Sequence, residues 1–83
     1  MDKVLVNVYV PVLGESYDMF IPLRSQLQEV LGLVKTAVEK MTDGAFMPSA
    51  DNVISYRNDG KILDINLSVY ELGIRNGSKL MLI

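Results

Sequence analysis

The chain has 83 residues, 49% of them hydrophobic, with no cysteine, no histidine and a net charge of −2. That is one domain, residues 1–83, with one modest core, because a chain this short buries roughly 60–65% of its extended surface. The composition excludes a disulfide framework, thiolate or imidazole metal sites, the commonest general base and the strongest nucleophile.

The eight basic residues are scattered, so the clustered positive charge that nucleic-acid binding needs is missing. No apolar run approaches the ~20 residues of a membrane span. The start, Met1-Asp2-Lys3, leads straight into an alternating run with no signal-peptide pattern. With the absence of cysteine, this gives a cytoplasmic expectation.

The first element is Val4 to Val10. Val4, Val6, Val8 and Val10 share one parity and line one face of a strand. Pro11 to Ser16, with Gly14, reads as a hairpin loop, and Tyr17 to Pro22 as a second strand with Phe20 pointing outward. Ser25 with Gln28 three residues later has the form of a capping box. Leu27, Val30, Leu31, Val34, Val38 and Met41 follow at helical spacing, which predicts a helix over about 26–42 ended by Gly44. Met19, Met41 and Met47 are expected as core fillers.

Residues 45–52 are a loop and Val53 to Arg57 a third strand. Asn58-Asp59-Gly60 is a tight turn leading to a short fourth strand, Lys61 to Asp64. Ser68 caps a helical turn over Val69 to Leu72 that Gly73 closes. Asn76-Gly77 turns the chain into a fifth strand, Lys79 to Ile83. The expectation is an α+β fold, a five-stranded mixed sheet with one long helix packed on one face.

Ile54 to Arg57, Asp59-Gly60-Lys61-Ile62-Leu63, Leu67-Ser68-Val69-Tyr70-Glu71-Leu72-Gly73-Ile74 and Asn76 to Ile83 resemble, in order and spacing, the C-terminal half of ubiquitin-like (β-grasp) domains. Within that superfamily, Tyr17 to Ile21, Leu27 to Leu31 and Leu72 to Leu80 look like the small bacterial YukD/EsaB-like proteins encoded beside WXG100 (type VII) secretion systems. The resemblance implies a non-catalytic protein-interaction module, an accessory or regulatory component of such a system. It also implies the β-grasp strand order, with the first and last strands central. A carrier or conjugated modifier is the alternative, against which stands the lack of a Gly-Gly tail, and an isolated adaptor domain of a larger protein is another.

No acidic pair, phosphate-cradling glycine pattern or calcium-type ligand run is present. The expectation is no enzyme activity, no cofactor and no metal, with protein partners only. By strand parity, Leu5, Tyr9, Met81 and Ile83 lie on the sheet face away from the helix, and Val12 and Leu13 on the hairpin loop extend that candidate binding patch. Exposed apolar residues are ordinary on soluble domains, so such a patch is equally readable as plain surface. Phe20 and the loop of residues 45–52 are the next candidates.

Overall fold

The computed structural model describes residues 2–83. Strand β1 (Lys3–Val10) and strand β2 (Glu15–Pro22) form an antiparallel hairpin. Helix α1 (Leu27–Met41) follows, then strand β3 (Ile54–Tyr56) and strand β4 (Lys79–Leu82). The order across the sheet is β2-β1-β4-β3, and β1 and β4 run parallel at its centre.

The alternation of β1 does what its valines require. Val4, Val6, Val8 and Val10 are all buried, and they meet Ile21, Leu80, Leu82 and Ile54 from the other strands. Leu27, Val30, Val34 and Val38 of α1 complete this core. Every residue in that set is apolar and sits at the period its element dictates, 2 in strands and 3.6 in the helix. The helix therefore covers one face of the sheet and leaves the other open.

Three expectations fail. Among the described residues the sheet has four strands. Residues 61–64 make a single bridge, Ile62 to Ser55, through two backbone bonds, Tyr56 N–H to Lys61 O and Leu63 N–H to Ile54 O. On either side, aspartate side chains bend the chain instead. Asp59 Oδ1 accepts from Lys61 N–H and Asp64 Oδ1 from Asn66 N–H, each at 2.9 Å. Such local side-chain bonds compete with a ladder.

The capping box at Ser25 does not form. Gln26 is the N-cap and makes no side-chain cap bond. The amides of Leu27 and Gln28 donate instead to the carbonyls of Leu67 and Ile65 (2.8 and 3.0 Å). A distant loop thus satisfies the orphan donors of the first turn. A reciprocal box forms instead at Ser68 and Glu71. Glu71 N–H donates to Ser68 Oγ (3.0 Å), and Ser68 N–H to Glu71 Oε1 (2.9 Å).

Two methionines leave the core. Met41 lies on the solvent side of the last helical turn, and Met47 is 82% exposed. Phe46 takes the buried place in that loop, and Met19 packs against the core as expected. The helix ends through two left-handed residues, Asp43 (φ 55°) and Gly44 (φ 86°), with Gly44 N–H on Glu39 O.

Candidate protein-binding surface

The open face is laid out by the register. Leu5 stands opposite Phe20, Asn7 opposite Asp18 and Lys79, and Tyr9 opposite Met81, which in turn faces Ser55. These rows divide the expected patch. Leu5 (39% exposed) and Phe20 (65% exposed) form one apolar spot. A polar row follows, where Asn7 Nδ2 donates to Asp18 Oδ1 at 3.0 Å beside Lys79. Beyond it come Tyr9 and Met81, both half-buried, and then the exposed Ile83.

Arg57 lies over this second cluster, its guanidinium carbon 4.2 Å from the centroid of the Tyr9 ring. It reaches there from the end of β3, where its N–H donates to Lys79 O (3.1 Å). Ser55, between Tyr56 and Ile54 on β3, is fully buried, and its Oγ finds no hydrogen-bond partner among the described residues. The outward position of that strand is therefore sealed.

Ile83 also belongs to a second feature. A cleft of about 580 Å³ is lined by Pro11, Val12, Ala45, Phe46, Met47, Asn52, Leu82 and Ile83. Val12 stands 78% exposed on its rim. Leu13, by contrast, is half-buried and packs against the core. The structure brings Tyr9, Met81 and Ile83 together and joins Val12 to Ile83 through the cleft. It sets Leu5 apart with Phe20 and turns much of Leu13 inward.

Sequence reasoning missed the stacking of Arg57 and the cleft contribution of Met47. The outward parity of Arg57 was the available signal for the first. For the second there was none, because a loop carries no periodicity. Among the described residues no group of three or more acidic side chains is placed to hold a metal ion. No described helix is long and apolar enough to cross a membrane.

No protein-family model matches the sequence, and no match among curated proteins was found. Solved structures do match over the whole chain. The ubiquitin-like domain of the Mycobacterium tuberculosis type VII secretion system protein EccD1 superposes with a TM-score of 0.81, covering 100% of this chain and 99% of that one at 13% identity. The fold is ubiquitin-like. The EccD5 ubiquitin-like domain from Mycobacterium xenopi agrees, with a TM-score of 0.74 over 100% of this chain and 94% of that one at 17% identity. A chain of the MycP5-free ESX-5 inner membrane complex matches with a TM-score of 0.72 and 16% identity, and there this ubiquitin-like chain covers 21% of the neighbour's length. At these identities the likeness establishes the fold, and the expected β-grasp order is the one observed.

Proposed function

We propose that this ubiquitin-like chain is a non-catalytic interaction module, an accessory or regulatory component of a bacterial type VII (WXG100) secretion system that acts in the cytoplasm on its protein partners. The observation that carries this reading is the end-to-end likeness to the EccD1 and EccD5 domains, with no segment of this chain left over. The sequence resemblance to YukD/EsaB-like proteins supports the same system.

The partner binds at the apolar end of the open face. Tyr9, Met81 and Ile83 are its centre, Val12 and Leu13 its rim, and Leu5 an outlying contact across the polar row of Asn7 and Asp18. Aromatic, methionine and arginine side chains are the types enriched in interface cores, and here Arg57 holds the Tyr9 ring in place before any partner arrives.

Deleting the gene tests the reading. Export of the WXG100 protein into the medium, followed by immunoblot, falls in the deletion strain and returns on complementation. Undiminished export contradicts the proposed role.

A further inference from the structure

Beside the start of β4, the turn from Gly73 to Ser78 and the end of β3 border a hollow of about 460 Å³. Gly73 (φ 75°) and Gly77 (φ 88°) line it in left-handed turns that favour glycine, so part of its wall is bare backbone. Ser78 Oγ accepts from Arg75 N–H (2.9 Å), which leaves its own proton to give. Tyr56 donates its hydroxyl proton to Leu72 O (2.6 Å). Asn58, Arg75 and Lys79 also line the hollow and are exposed. Among the described residues neither of these two cations makes an ion pair.

The chain carries 10 acidic residues against 8 basic ones, yet among the described residues no acidic one lines this hollow. The acids nearest in sequence are bonded to backbone. Asp59 Oδ1 accepts from Lys61 N–H and Glu71 Oε1 from Ser68 N–H, each at 2.9 Å. A second hollow, of about 360 Å³, meets the first at Gly73 and Arg75. Its other lining residues are Val4, Leu23, Tyr70 and Ile74, and Tyr70 stands 67% exposed. A cationic pocket therefore adjoins an apolar shelf, with Arg75 at the junction.

We infer that these two hollows form one binding site for a phosphate monoester on an aromatic or apolar frame. The phosphate lies between Arg75 and Lys79, and the frame lies against Tyr70 and Leu23. Such a phosphate carries a charge of about −1.5 to −2 at pH 7, which matches two cations. Its three terminal oxygens suit the guanidinium fork of Arg75 together with Lys79, the Ser78 hydroxyl and the Asn58 amide. A carboxylate brings one charge and two oxygens, and leaves part of this donor set unused. Bare phosphate leaves the apolar shelf empty. The frame belongs to a phosphorylated side chain of a partner protein or to a small organic phosphate, which present the same chemistry.

The probe is phenyl phosphate, titrated into the isotope-labelled full chain at fixed ionic strength above pH 7 and followed by NMR. The expected result is saturable shifts confined to Asn58, Tyr70 and the turn from Gly73 to Lys79. Inorganic phosphate binds the same turn about tenfold more weakly, a difference that corresponds to roughly 50–60 Å² of apolar surface buried by the ring. Arg75→Gln and Lys79→Gln each weaken phenyl phosphate about fivefold, the upper range for an exposed charge pair. Tyr70→Ser removes the advantage of the ring and leaves inorganic phosphate unchanged. All three side chains are exposed, so the variants keep the fold, which unchanged shifts elsewhere verify. A blocked phosphotyrosine tripeptide separates the sources. Binding as tight as that of phenyl phosphate assigns the site to a partner protein, and exclusion of the tripeptide assigns it to a small molecule. The inference is overturned if phenyl phosphate does not saturate at tens of millimolar or shifts residues elsewhere. It is equally overturned if benzoate or inorganic phosphate binds as well as phenyl phosphate, or if the glutamine variants bind undiminished. Tyr9, Met81 and Ile83 lie outside this site, so failure here leaves the secretion reading untouched.

Discussion

The guanidinium of Arg57 stacks on the ring of Tyr9, 4.2 Å from its centroid, and ties the end of β3 to β1 across the intervening β4. The contact covers part of the ring face and limits how Tyr9 presents itself to a partner. An exposed cation–π pair is worth about 0.5–1 kcal/mol. A double-mutant cycle with Arg57→Ala and Tyr9→Leu in urea melts should return a coupling of that size. Additive effects would show that the stacking contributes nothing.

The helix face gives a second expectation. Val34 is buried against the sheet, and Glu39 is exposed. Val34→Ala should cost about 1–3 kcal/mol, through lost burial and the cavity left behind. Glu39→Ala should cost under about 0.5 kcal/mol. Equal shifts in urea midpoint contradict the packing described.

Capping separates the two serines. Ser68→Ala removes the acceptor of Glu71 N–H and should cost about 0.5–2 kcal/mol, the usual worth of such a cap. Ser25→Ala should be near neutral, because Ser25 contributes its backbone carbonyl to Val69 N–H and no side-chain cap. The comparison is made by thermal or urea unfolding, and the reverse order would mean that the box forms at the helix start.

Ser55 offers a test in the stabilising direction. Its hydroxyl is fully buried without a partner among the described residues, and an unsatisfied buried polar group costs about 1–3 kcal/mol. Ser55→Ala should raise stability or leave it unchanged, after the small loss of packing. A clear loss in urea melts would show that the hydroxyl is satisfied in solution.

These residues also mark what the sequence could and could not reveal. The four valines of β1 and the Leu27–Val38 stripe were legible, because burial in each follows a period within one element. Parity likewise put Leu5, Tyr9, Met81 and Phe20 on the open face. Whether they touch depends on register between strands, which no single element carries. Hence the polar row of Asn7, Asp18 and Lys79 dividing the patch was not foreseen. Ser25-x-x-Gln28 had the form of a capping box, and Ser68 was read only as the cap of a short turn; the outcome at the helix start fell to the carbonyls of Ile65 and Leu67, remote in sequence from Ser25. The short fourth strand failed for the opposite reason. Asp59 and Asp64 form local turns that confine the pairing to two cross-strand bonds.

The central claim is that the open face binds while the opposite face folds. Tyr9→Ser with Met81→Ser tests it most directly, with Leu80→Ser as control, since Leu80 is wholly buried. Truncating aromatic or large apolar anchors at an interface centre commonly costs 2 kcal/mol or more in binding, about a thirtyfold loss. Circular dichroism and the set of proteins pulled down from the native cell are measured for each variant. The account predicts that the double variant keeps its fold and loses partners that the unaltered chain pulls down, while Leu80→Ser unfolds. A folded double variant that retains every partner would contradict it.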